Sequence, residues 1–310
     1  MLLDAIVLTL VGAVAALLPF SAAYRSRLTR RLARQAGTTV PADQVDALEA
    51  RMARRAWGVG GGVALAGLLL LGWALLGPGR GEDSTGSYLV LSAMFVFGAG
   101  GLAVVEILRP GPPVDGPRTA RATSPGLADY LPPLVRVLVP LFIALGLVVL
   151  LTALALSWSP WFDADTIWRS PLPLLAAAIP VLSLLSVLAV RAVLAAPQPA
   201  RGEVDLFWQD LVRASTLSSV VFPPALVAVF ALIVCGSVLD DAASVAAQAQ
   251  GQVGPGWSLW LLIAGYVVPP LLAFGALAAT LRWGGNEMQH TRSRLWGGRM
   301  VGTAARAGRA

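Results

Sequence analysis

The sequence predicts an all-α polytopic membrane bundle of seven spans, one leading helix followed by three hairpins. The N-terminus is expected outside and the C-terminus in the cytoplasm. Three observations carry this reading. The 310-residue chain is 56% hydrophobic, with mean hydropathy +0.72 and only 13% charged residues, where soluble domains hold about 25%. Nearly uncharged runs recur, each close to the ~20 residues that cross a hydrocarbon core. Inside lipid every backbone amide needs an internal partner, so such runs must be helices. Finally, arginine is segregated to alternate loops.

The spans read in order as 2–23, 57–77, 87–108, 137–156, 172–195, 219–239 and 257–281. The first begins MLLDA, with Asp4 and no arginine, and its basic residues follow the apolar run. A secretory signal has its basic region in front, so an uncleaved helix is expected. Of 23 basic residues, 21 fall in the loops 24–56, 109–136 and 196–218, at Arg191 ending span 5, or in the tail 282–310. The opposite loops hold only Arg80 and Arg169. Arginine near span ends stays in the cytoplasm, which sets the expected orientation. The Ala/Gly/Arg richness without lysine suggests a GC-rich genome, so a bacterial cell membrane is the expected location. Tryptophans cluster at span ends. Trp73, Trp158, Trp161, Trp168, Trp257 and Trp260 lie at outer ends, and Trp57, Trp208, Trp283 and Trp296 at or beyond inner ones. Indole favours the headgroup layer, so two aromatic belts are expected.

Residues 24–56 are patterned beyond their charge. Tyr24, Leu28 and Leu32 recur at helical spacing, and Gly37 can stop that helix. After GTTVP a second helix can begin, PADQVDALEARMARRAW, with Val45, Leu48 and Met52 as its apolar stripe. Its acids lie near its N-terminus and its arginines near its C-terminus, which suits the helix dipole. This amphipathic pair exposes Arg27, Arg30, Arg31, Arg34, Arg51, Arg54 and Arg55 as candidates for contact with anionic lipid headgroups or a partner protein. A nucleic-acid surface would need interleaved stacking aromatics, and only Tyr24 is near, so no nucleic acid is expected.

An internal similarity also emerges. LADYLPPLVR precedes span 4 and VDLFWQDLVR precedes span 6. Each places an acid and an aromatic before an LVR triplet, so the hairpins read as parallel repeats entered from the cytoplasm.

Composition excludes much chemistry. The chain has no lysine, one histidine (His290) and one cysteine (Cys235). A Walker A loop, a Schiff-base cofactor, a histidine cluster, an intramolecular disulfide and a Cys-based zinc site are therefore ruled out. No cofactor or metal is expected. Asp163 and Asp165 could touch a cation in the outer loop, but a cation site wants more oxygens, and an interfacial aromatic loop is the simpler reading.

Ionisable groups deep in a span mark function, yet Asp4, Glu106 and Arg191 all lie within about a turn of an end. Glu106 and Arg109 are spaced to pair on one helix face. Gly58 and Gly62 have the spacing of a helix-packing seam. Proline supplies the remaining candidates. Pro269 and Pro270 sit mid-span beside Gly265 and Tyr266, and Pro180 lies above Ser183 and Ser186. Each proline frees a carbonyl one turn earlier, so Tyr266, Pro269, Pro270, Pro180 and Ser183 form a candidate substrate cavity. The functional expectation is a non-catalytic subunit or scaffold engaging a cytoplasmic or membrane partner. The alternative is a carrier of a neutral or apolar small molecule at the kinks of spans 5 and 7.

Overall fold

The computed structural model describes residues 2–37, 39, 40, 42–76, 85–109, 125–198, 200, 202–279, 282 and 287–299. Among these the chain is helical with no strand. The main helices are α1 (Leu2–Leu17), α2 (Ala22–Ala36), α3 (Val45–Leu76), α4 (Thr85–Leu108), α5 (Leu127–Tyr130) and α6 (Pro133–Ala155). They continue with α7 (Ala164–Arg169), α8 (Leu172–Ala195), α9 (Glu203–Ala249), α10 (Ser258–Ala279) and α11 (Glu287–Trp296). Seven of them, α1, α3, α4, α6, α8, α9 and α10, are long and apolar enough to cross a membrane.

Two helices run past the expected span limits. The second amphipathic segment is continuous with span 2, so α3 is a 32-residue helix. Likewise α9 absorbs the end of the loop before span 6 and the start of the loop after it, giving 47 residues, or about 70 Å. Neither junction contains a helix breaker, and the apolar stripe passes through both. Helix α2 does stop where expected. Gly37 takes φ 70 and returns its N–H to Ala33 O and Arg34 O, a left-handed cap that only glycine adopts freely.

Two packed units result. In the first, α1, α3 and α4 meet along glycine seams. A Cβ on Gly12 would lie 2.2 Å from Ala64 N, and one on Gly101 would lie 2.1 Å from Gly58 O. Backbones this close need small residues, and they exchange dispersion contacts where lipid offers no hydrophobic drive. In the second unit α6, α8, α10 and α4 surround α9, whose central window is 61% buried. Its core includes Leu150, Leu175, Ile179, Ala231 and Val238. Pro223 and Pro224 lie inside α9 without interrupting it. Pro224 cannot donate to Val220 O, and the Ser186 hydroxyl of α8 fills that acceptor at 3.0 Å, as buried backbone requires.

The two ends of the bundle differ. At one end α7 and the turn before it form a lid against the last turns of α9, with Asp163 N donating to Ala242 O at 3.0 Å. Trp158, Trp161, Trp168, Trp257 and Trp260 are exposed there. At the other end α2, the first turns of α3 and α9, and α11 enclose a separate cap core of Leu32, Leu48, Phe207, Trp208, Leu211 and Trp296. Trp208 and Trp296 are thus buried in the cap, not placed in an interfacial belt. Trp57 remains exposed, and Trp283 lies outside the described residues.

Candidate functional site

The charged and polar chemistry of the chain gathers at the cap end in two buried clusters. The first is built by the α3–α4 seam. Gly58 and Gly62 hold α3 against Gly101 and Phe97 of α4, and the helices run antiparallel. That contact sets the start of α3 beside the end of α4. Glu106, 1% exposed, therefore meets Arg51 at 3.3 Å and Arg55 at 3.2 Å. The Arg51 contact is a hydrogen bond, while the Arg55 contact is an ion pair without hydrogen-bond alignment at Glu106 Oε1. The sequence pairs Glu106 with Arg109 along one helix; the structure pairs it across helices. Glu106 is deeply buried at the seam, where the opposite helix offers two guanidiniums.

The second cluster centres on Asp210 of α9, which is 0% exposed. It accepts from the Tyr130 hydroxyl at 3.1 Å, the Gln198 amide at 3.0 Å and Trp296 Nε1 at 3.0 Å. These donors come from α5, from the segment after α8 and from α11. One carboxylate therefore ties three separate stretches of chain to α9. Arg213, one turn along, donates to Ala196 O. Burial, with the Asp210 charge second, pushes the Tyr130 phenol up from 10.0 to about 12, because both disfavour a phenolate.

Helix α11 locks onto this cluster. Thr291 donates to Tyr130 O at 3.4 Å and Arg294 pairs with Asp129 at 3.6 Å. His290 Nε2 lies 3.1 Å from Ala128 O, and Trp296 packs edge-on against Phe207 with centroids 5.3 Å apart. The two motifs that resemble each other in sequence touch here, through Tyr130 and Asp210. They do not fold alike. Leu131 turns extended after α5 and Pro133 starts α6 afresh, whereas the second motif stays within α9. Arg136 is exposed and Arg213 buried.

The expected cavity residues are not brought into one place. Tyr266 bonds the Tyr88 hydroxyl of α4 and also engages Ser237 of α9. Gly265 packs on Gly236 of α9, where its added Cβ would lie 2.8 Å from the Gly236 Cα. Pro269, one turn on, is buried, while Tyr266 is 47% exposed. Pro180 is exposed on α8, and Ser183 returns its hydroxyl to Ile179 O at 2.8 Å. Both α8 and α10 pack on α9, and they share no substantial contact with each other.

The expected contact arginines divide as well. Arg27, Arg30, Arg31 and Arg34 are exposed on α2, while Arg51 and Arg55 turn inward to Glu106 and Arg54 stays half-buried beside them. At the lid, Asp163 caps α7 by accepting from Thr166 N at 2.7 Å, and Asp165 pairs with Arg169 at 2.7 Å.

Sequence reasoning missed the weight of Asp210, Tyr88 and Ser237. A signal for Asp210 exists. Phe207, Asp210, Leu211 and Ala214 fall on one helical stripe, so the acid lies on the apolar face of VDLFWQDLVRA. Compared with known proteins, the chain matches no family model, no curated protein and no solved structure.

Proposed function

We propose that this multi-pass chain is a non-catalytic subunit of a complex in a bacterial cell membrane, with its N-terminus and the α7 lid outside. The cap of α2, α9 and α11 then faces the cytoplasm and docks a partner. The observation that carries this is the folded cap. Its inner acids are tied up in structural bonds: Asp210 joins three segments, and Asp129 and Glu49 pair with Arg294 and Arg25. Its exposed face presents Arg27, Arg31 and Arg34 with no ion-pair partner among the described residues. Such a face suits an acidic protein surface. The arginine bias between loops supports the orientation.

Two experiments test this. In a Cys235→Ala background, Gln252→Cys should react with an impermeant thiol reagent in intact cells and Ser293→Cys should not. The opposite pattern reverses the orientation. Purified in mild detergent, the wild type should carry a stoichiometric protein that R27E/R31E/R34E loses. A wild type that purifies alone refutes the subunit reading.

A carrier is the second reading, favoured by the hydroxyl cluster of Tyr88, Ser237 and Tyr266 between α4, α9 and α10. Tyr266→Phe would then abolish uptake of a neutral solute while leaving membrane levels unchanged.

A further inference from the structure

The α3–α4 corner gathers more positive charge than its carboxylate can match. Arg51, Arg54 and Arg55 of α3 and Arg109, next after α4, lie around Glu106, which is committed to Arg51 and Arg55. Arg54 lies within electrostatic reach of Arg51, Arg109 and Glu106. Among the described residues neither Arg54 nor Arg109 has an ion-pair partner. The carboxylate one turn earlier on α3, Glu49, is taken by Arg25 at 3.6 Å. Four guanidiniums held around one acid repel each other unless a second anion joins them.

The place of the corner narrows what that anion is. Trp57 follows Arg54 by one turn on α3 and is exposed, and Leu108 beside Arg109 is exposed too. An exposed indole beside an exposed aliphatic residue marks the headgroup layer. Guanidinium forks match phosphate oxygens in pairs. The α3–α4 glycine seam fixes both backbones, so Arg54 is presented on a rigid helix and Arg109 at the end of another, its N–H donating to Val105 O at 3.0 Å.

We propose that Arg54 and Arg109 bind a phosphate-bearing anion at this corner, supplied by an anionic phospholipid headgroup or by free phosphate. Glu106 acts behind it as a positioning residue, keeping Arg51 and Arg55 turned inward as a fixed positive wall. This site is separate from the α2 face and does not depend on the partner reading.

The test uses the full chain in mild detergent. Native mass spectrometry titrates phosphatidylglycerol against phosphatidylcholine, and thermal shift reads inorganic phosphate alone. Phosphatidylglycerol should be retained in preference to phosphatidylcholine, and R54Q/R109Q should weaken it about tenfold or more. The control R27Q/R31Q/R34Q should stay within about twofold, as these arginines stand on α2 and not around Glu106, and scattered exposed charges contribute little. R54K/R109K keeps the charge without the fork and should fall between. If R54Q/R109Q fails to fold, reduced affinity in R54K/R109K supports the site and unchanged affinity sinks it. A phosphate-induced shift that R54Q/R109Q abolishes, without lipid retention, assigns the same site to free phosphate. Equal binding of both probes by wild type and R54Q/R109Q overturns the proposal, and so does an equal loss in R27Q/R31Q/R34Q.

Discussion

Glu106 and Asp210 lie at the same end of the bundle, both sealed from solvent, and are held by different chemistry. Glu106 faces two guanidiniums on a neighbouring helix. Among the described residues Asp210 accepts from neutral donors, a phenol, an amide and an indole, from three separate stretches. The first arrangement joins two helices that a glycine seam already holds together. The second joins segments that lie far apart in the sequence. The lesson is that a buried acid in a membrane bundle can serve as a local charge lock or as a long-range tie, and its donors tell which.

The sharpest way to break this comparison is Glu106→Ala. It leaves two part-buried guanidiniums facing each other and should cost about 3–5 kcal/mol, read from thermal unfolding in detergent. A loss below about 1 kcal/mol would mean the arginines simply reach water.

Asp210→Ala comes next. Three donors, Tyr130 and Trp296 buried and Gln198 half-buried, lose their acceptor, for about 2–4 kcal/mol, and the tail should become protease-sensitive while the spans remain folded. Asp210→Asn keeps one acceptor oxygen and should recover roughly half of that loss. If the tail stays protected in Asp210→Ala, the acid is not the tie described here.

The Tyr130 phenol gives a pH handle on the same cluster. Its value is raised from 10.0 to about 12, so the fold binds that proton more tightly than the unfolded chain. The associated stability is complete below about pH 10 and disappears as pH rises through about 12. Wild type should therefore lose about 2 kcal/mol across that window, and Tyr130→Phe should lack this slope. Identical pH profiles for the two proteins would remove Tyr130 from the network.

The smallest effect expected is that of Trp296→Phe. A ring packed edge-on against Phe207 survives while the N–H to Asp210 is lost, for about 1 kcal/mol, seen as faster proteolysis of the tail alone.

Much of the fold was readable in advance. Seven apolar runs, the Gly37 stop and the Gly58–Gly62 seam follow from composition and local spacing, which is where lipid imposes its strictest rules. What stayed hidden depends on register between helices. Local spacing offers Glu106 only Arg109, and it is the seam that brings Arg51 and Arg55 to it. The amphipathic segments look separate from their spans because hydropathy changes at Trp57 and Ser219, yet backbone helicity has no reason to stop there. Tryptophan position in sequence likewise cannot separate an exposed indole such as Trp57 from a buried one such as Trp208, since both lie near a span end.

The tie at Asp210 also has a consequence for the time course of synthesis. Its donors lie 80 residues before it and 86 after it. When α9 leaves the ribosome, Tyr130 and Gln198 are already available and Trp296 does not yet exist. At 5–20 residues per second, Asp210 waits about 4–17 s for its third donor. Until then the cap face of α9 stays open, with Phe207 and Leu211 uncovered. A chain cut short before α11 lacks the Trp296 donor and the ring that packs on Phe207, and leaves that face more exposed.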